Sequence, residues 1–392
     1  MPAINMTDLD LNGKRVLIRL DLNVPLDGKS ITSTVRIDAS IPTIQYALDQ
    51  GATVLIMSHL GRPSEGSFDP TYSLAPVVEY LNGKLNKPVK LINDYLQGVD
   101  NNQEQVTVLE NVRFNIGETA NDPQLSQQLA ALCDVFVNDA FGTVHRAHAS
   151  THGVAQYAPI AAAGPLLIKE LQALSQIIAQ PESPLVAIVG GAKVSSKLTV
   201  LDALANFADV IIVGGGIANT FIAAEGYNVG KSLYEPALID EAKRLQQKTK
   251  VVYATDVVVT KQAFNEWHDQ SDCQIKSISD IATDESIVDC GPETSHHISQ
   301  LLSQAKTILW NGPMGVFEFD AFAKGTEVMA QAIANSQAYS VAGGGDTLAA
   351  IDKWHLADQV SYISTGGGAF LNFIEGKSLP ALDILESCAE QR

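Results

Sequence analysis

Short runs of apolar, often β-branched residues recur along the chain. The first half holds Val16–Leu20, Thr53–Met57, Val106–Leu109 and Val135–Val137. The second half holds Leu185–Val189, Val210–Val213, Val251–Tyr253, Thr307–Leu309, Tyr339–Val341 and Val360–Ile363. Within these runs the apolar positions are nearly continuous rather than alternating, which is the pattern of parallel strands buried on both faces. Longer segments between them, such as Glu235–Lys248, carry a helical period. Strands alternating with helices predict an α/β protein built on parallel sheets.

One helical segment differs in its punctuation. Across Gly164–Pro184, Leu167, Leu171, Leu174 and Ile178 recur at helical spacing, Pro165 suits a first turn, and Pro181 and Pro184 stop the pattern. A helix joining two α/β lobes is the reading, with a first domain over 1–165, a connector over 166–183 and a second domain from 184. A length of 392 residues accommodates two to three domains, each able to bury its own core.

Composition narrows the function. With 46% hydrophobic and 18% charged residues the chain is ordinary for a globular protein. A formal net charge of -18 argues against general nucleic-acid binding and obliges any anion site to concentrate positive charge locally. Cys133, Cys273, Cys290 and Cys388 are far apart and read as thiols in a reducing compartment. Residues 1–15 show no uninterrupted apolar stretch of the kind a signal peptide needs, so a cytoplasmic protein is expected.

In open parallel sheets, ligands bind beyond the carboxyl ends of the strands. In the first half those ends read Arg19–Pro25, Ser58–Pro63, Glu110–Phe114 and Asn138–Gly142, the last leading to His145-Arg146. Beyond residue 146 only Arg244 and Arg392 remain, yet Arg36, Arg62, Arg113 and Arg146 fall at or beside successive strand ends. The guanidinium fork matches phosphate and carboxylate oxygens, so the cluster predicts a pocket for a small, multiply anionic molecule. His59, beside Gly61-Arg62, joins that pocket, whereas the loose spacing of His145, His148 and His152 does not make a metal site.

The second half places glycine where the first has arginine: Gly190-Gly191, Gly214–Gly216, Gly312, Gly343–Gly345 and Gly366–Gly368. Glycine admits a ligand to the backbone, and a helix beginning there turns free N–H groups toward anions. Lys193 and Lys197 would share a face if helical, and Asp346 is a candidate Mg²⁺ contact. There is no P-loop motif and no complete dinucleotide fingerprint. This half reads as a nucleotide lobe.

Arg19-Leu20-Asp21-Leu22-Asn23-Val24-Pro25 resembles the signature segment of the phosphoglycerate kinases. The resemblance continues in order through His59–Pro63, Leu109–Phe114, Asn138–Ser150, Gly190–Lys197, Trp310–Glu318, Gly343–Thr347 and Ser364–Ala369. Val144 and Cys290 are small departures, where alanine and isoleucine are commoner in the family. The resemblance implies that Asp21, Leu22, Asn23, Arg36, His59, Leu60, Gly61, Arg62, Arg113 and Arg146 bind 3-phosphoglycerate or 1,3-bisphosphoglycerate. It implies that Lys197, Glu318, Gly344, Gly345, Asp346 and Thr347 bind ADP or ATP, with Mg²⁺ on Asp346. It also implies that the second domain ends near 378, and that residues 379–392 return to the first.

The expected fold is therefore α/β: two Rossmann-like, three-layer lobes with mainly parallel sheets, joined by a hinge helix. The acceptor carboxylate is already ionised at neutral pH, so transfer needs alignment and charge neutralisation rather than a general base. Arg36, Lys193, Lys197, Gly367 and Gly368 are the expected catalytic set, in a protein expected to act as a monomer. Another small-molecule kinase or acyl-phosphate enzyme would share the glycine loops without the arginine pocket. A non-catalytic nucleotide-binding module would tolerate loss of Lys193 and Lys197.

Overall fold

A computed structural model describes residues 3–100, 106–179 and 181–391. Gln180, inside the expected connector, and Arg392 lie outside the described residues. The chain divides into two units. The first runs to Gln172 and is rejoined by the residues from Ser378, and the second is Ala173–Lys377. The division falls within a single helix, Pro165–Ala179, whose first residue is the proline that pre-sets helical φ.

The first unit is built on six parallel strands: β1 (Arg15–Arg19), β2 (Thr53–Met57), β3 (Val89–Ile92), β4 (Val106–Leu109), β5 (Val135–Asn138) and β6 (Ala161–Ala163). They lie in the order β3-β4-β2-β1-β5-β6. Val16 and Ile18 of β1, Val54 and Ile56 of β2 and Val135 and Val137 of β5 are fully buried and share a core with Ile37 and Ile44 of the helix Val35–Asp49. The helix Pro380–Glu390 packs on β6 and on the short helix Val154–Tyr157, and its Ala381 amide donates to the carbonyl of Val144 at 3.1 Å.

The second unit repeats the plan with β7 (Leu185–Gly190), β8 (Val210–Gly214), β9 (Lys250–Val252), β13 (Thr307–Asn311), β14 (Tyr339–Ala342) and β15 (Tyr362–Ile363). The order β9-β8-β7-β13-β14-β15 reverses direction between β7 and β13, as β1 and β5 do in the first sheet. At such a reversal the flanking connections leave to opposite faces and open a crevice at the strand ends. Inserted between β9 and β13 is a separate antiparallel sheet of β10 (Asp256–Thr260), β11 (Gln274–Ser277) and β12 (Ser286–Cys290), with β10 central.

Several details differ from the sequence reading. β3 and β6 were not among the expected strands: β3 is an edge element with only Val89 buried, and β6 is three alanines. The antiparallel sheet was also unanticipated, since β11 carries almost no apolar signal. The helix expected from Glu235 begins at Ile239, after a 3-10 turn over Pro236–Leu238. Lys193 and Lys197 do not share a helix; they bracket a turn, and Lys197 caps the helix Leu198–Leu204.

Candidate functional site

In the first unit the loops after β1, β2, β4 and β5 are tied to one another by side chains of the signature segments. The Asn23 Oδ1 accepts from the Gly61 amide at 2.8 Å, and the Leu22 amide donates to Ser58 Oγ at 2.9 Å. Asn111 donates to the carbonyls of Leu60 at 2.7 Å and Tyr72 at 2.8 Å. Leu22 and Leu60 are core residues here, so any ligand contact they make falls to their backbone.

The arginines rise from this frame. Arg36 stands in the first turn of the helix Val35–Asp49, not in a loop, where its Nη1 lies 3.2 Å from Asp21 Oδ2 and donates to the Asn23 carbonyl at 2.9 Å. Arg113 donates to the Gly61 carbonyl, and Arg146 Nε to His145 Nε2 at 3.1 Å. Burial pushes the Arg113 guanidinium down to about 10, with the charges of Arg146, Arg19 and Arg62 adding to the effect. His59 is held well below the usual histidine range, first by burial and then by Arg19, Arg113, Arg146 and Arg36. The charges of Arg19, Arg36, Arg113 and Arg146 all bear on His59, and that of Arg62 bears on Arg113 and Arg146, so these side chains are neighbours and make up an electropositive cup in a chain whose net charge is -18.

Under the cup lies an ionic network that pattern reading passed over. Arg19, the last residue of β1, is 1% exposed and donates through Nε to Ser150 Oγ at 3.0 Å. Ser150 binds Glu118 twice, hydroxyl to Oε1 at 2.6 Å and amide to Oε2 at 3.0 Å. A buried arginine at a strand end has the same letter as a ligand-binding one, and only its depth separates the two roles.

The second unit holds a cavity of 620 Å³, within the range that encloses a small ligand. Its floor is backbone: Gly191 and Ala192 after β7, Gly215 and Gly216 after β8, and Pro313–Gly315 after β13. These loops approach so closely that a Cβ on Gly190 would stand 2.0 Å from the Pro313 carbonyl oxygen. Gly312 has φ +110°, a conformation that a side chain would strain. Glu318 and Asp346 are exposed at the cavity's edge. Much of its remaining wall comes from the antiparallel sheet and its β10–β11 connection, including Lys261, Phe264, Trp267 and Val288. None of these was expected, because they lie off the parallel strands whose ends were searched.

Lys193, Lys197, Gly344, Gly345, Thr347, Gly367 and Gly368 are not among the lining residues of this cavity. Lys197 is tied to the same region through Nζ and Asn311 Oδ1, and it feels the charge of Asp346, while burial lowers its pKa. Asn311 in turn donates to the Gly343 carbonyl at 2.6 Å. Thr347 is fully buried; its hydroxyl accepts from the Gly312 amide at 2.7 Å and donates to the Gly343 carbonyl at 3.0 Å. Thr347 therefore keeps only its backbone N–H for an anion. Gly345 and Gly367 open the helices Gly345–Lys353 and Gly367–Ile374, whose first turns present free amides. Lys193 is exposed.

The Asp346 carboxylate, exposed in the first turn of its helix, is of the kind that suits a hard cation carried in by phosphates. Among the described residues, no group of three or more His, Cys, Asp or Glu side chains is placed to hold a metal ion by itself. No helix among them is long and apolar enough to cross a membrane.

The family described as phosphoglycerate kinase matches residues 6–377. The structure of phosphoglycerate kinase from Coxiella burnetii is 51% identical over 99% of this chain and 100% of that one, with a TM-score of 0.92. The crystal structure of phosphoglycerate kinase from Pyrococcus horikoshii OT3 is 30% identical over 99% of both, with a TM-score of 0.84.

Proposed function

We propose, for a chain that belongs to the phosphoglycerate kinase family, a division of labour between its two units. The activity is the family's: reversible transfer of a phosphoryl group from 1,3-bisphosphoglycerate to ADP, giving 3-phosphoglycerate and ATP, a step of glycolysis. The residue roles that follow are our reading, and the observation that carries it is the electropositive cup formed by Arg36, His59, Arg62, Arg113 and Arg146.

The phosphoglycerate occupies that cup. Its anionic ends take bidentate donors from the guanidinium groups, its hydroxyl is oriented by Asp21 and Asn23, and Gly61 holds Asn23 and Arg113 in place through its amide and carbonyl. The nucleotide occupies the 620 Å³ cavity, its base against the glycine floor and its ribose on Glu318. Its phosphates meet Lys197 and the amides of Gly344, Gly345 and Thr347. Asp346 would hold Mg²⁺, which when bound offsets charge on the phosphates.

The attacking oxygen belongs to a carboxylate, so no proton has to be removed. The chain's task is to bring that oxygen and phosphorus in line at roughly 3–3.5 Å and to meet the charge of the phosphoryl in flight. Arg36 meets it from one unit, and Lys193, Lys197 and the amides of Gly367 and Gly368 from the other. Closure of the units joins the two halves of this set and excludes the water that would hydrolyse an acyl phosphate. We place the enzyme in the cytoplasm as a monomer, the latter checked by light scattering.

A coupled assay supplying 3-phosphoglycerate and MgATP tests the reading. ADP release that depends on 3-phosphoglycerate is the expected result. Release independent of it, or none, would overturn the assignment of the cup.

A further inference from the structure

His59 follows β2 immediately and is 4% exposed, and Arg19 ends the neighbouring strand β1 in register with Met57. The Arg19 Nη2 lies 3.2 Å from His59 Nδ1. The rest of that guanidinium is committed: Nε donates to Ser150 Oγ at 3.0 Å and Nη1 to the Leu20 carbonyl. Ser150 is itself fixed, because its hydroxyl proton goes to Glu118 Oε1 at 2.6 Å. The Arg19 fork is thus held by two other bonds and cannot rotate to suit the imidazole.

A guanidinium has donors and no acceptor. Whatever stands at hydrogen-bond distance from Nη2 must offer a lone pair, so Nδ1 of His59 carries no proton. We propose that Arg19 is a positioning residue for the reaction, fixing His59 as the neutral tautomer with its proton on Nε2, so that the ring presents one neutral N–H donor to the phosphoglycerate. The depressed basicity of His59, caused first by burial and then by Arg19 and the cup's arginines, points the same way.

The arrangement answers a difficulty of the cup. Several guanidinium groups already repel one another there, and an imidazolium would add to that repulsion before any substrate arrived. A neutral donor of fixed tautomer adds a hydrogen bond and no charge. It also keeps the ring's role constant across the pH range in which histidine ordinarily titrates.

The inference rests on the reading that the cup takes phosphoglycerate, and the experiment separates the two. Long-range ¹H–¹⁵N correlation spectra of the ligand-free, ¹⁵N-labelled enzyme identify His59 by the signals lost in His59→Gln. They should show Nε2 protonated and Nδ1 bare, unchanged from about pH 5.5 to about pH 8. A proton on Nδ1, or an imidazolium at neutral pH, would overturn the proposal with no substrate involved, and so decides it even where Arg19→Gln fails to fold.

In Arg19→Gln, whose amide can donate or accept, the two tautomers should mix. The KM for 3-phosphoglycerate should then rise roughly five- to tenfold, about the worth of one hydrogen bond. The nucleotide KM should stay within about twofold, as befits a ligand of the other unit. An unchanged KM for 3-phosphoglycerate in a folded variant refutes the positioning role. If the wild-type tautomer is as stated but 3-phosphoglycerate does not bind, the reading of the cup fails instead.

Discussion

Asp289, which is buried, and His148, which is half-buried, carry opposite signs in the way the protein meets acid. Asp289 on β12 accepts from the Gly325 amide through Oδ2 at 2.5 Å, while its Oδ1 has no partner among the described residues. Burial pushes its carboxyl up to about 7. Between the ordinary 3.8 and about 7 the folded state therefore holds a proton that the unfolded state has released, so this group favours folding as pH falls through 7. Asp289→Asn should raise stability at pH 8 by about 1–3 kcal/mol, the cost of an unsatisfied buried polar group, and flatten that dependence. Urea unfolding at pH 5 and pH 8 checks it; the same change in stability at both, or a loss at pH 8, would contradict it.

His148 has the reverse sign. Its Nδ1 is 3.8 Å from Glu118 Oε1, but burial, followed by the charges of Arg113, Arg146 and Arg19, lowers it from 6.5 to about 4. Between those values only the unfolded chain binds the proton, so its contribution to stability is lost as pH falls from about 6.5 to about 4. His148→Gln should reduce that acid sensitivity, read from thermal midpoints across the window. At the cup, Arg36→Ala should cost roughly a hundredfold in turnover, by analogy with removal of one oxyanion donor. Near-normal turnover would remove Arg36 from the catalytic set. Arginine stood out in the sequence because it is scarce and recurs at strand ends. The role of Arg19 did not, because burial is invisible in a single letter.

Among the elements, the parallel strands were the legible part, since burial on both faces leaves a nearly unbroken apolar run. The antiparallel sheet was not: β11 reads Gln-Ile-Lys-Ser and is mostly exposed. Its connection nevertheless walls the 620 Å³ cavity of the second unit. Trp267 stacks edge-on with Phe264 at 5.0 Å and Phe322 at 5.5 Å, and its Nε1 donates to the Gln262 carbonyl at 3.2 Å. Asp269 accepts from the Asp320 amide at 3.1 Å, linking this wall to the segment that carries Glu318. Trp267→Ala should therefore raise the nucleotide KM several-fold, on the order of 1 kcal/mol from the lost ring pairs, and leave the 3-phosphoglycerate KM alone. Equal changes in both constants would mean that the wall acts on global stability instead.

At the scale of the whole molecule, the two-lobe plan could be read from the proline-bounded helix and from the change of chemistry between halves. What could not be read was where the helix Pro165–Ala179 is shared, because one continuous apolar stripe serves both units. If transfer requires closure, small-angle scattering should show a smaller radius of gyration with 3-phosphoglycerate and a nucleotide analogue together than with either alone. An unchanged radius would leave the two ligands without a way to meet.

The helix Pro380–Glu390 belongs to the first unit but follows the second in the chain. A ribosome therefore finishes the second unit while the first still lacks the element that covers β6, inverting the usual order in which the leading domain matures first. Released chains truncated before Pro380 should carry a protease-resistant trailing domain behind a leading one that is still readily cleaved.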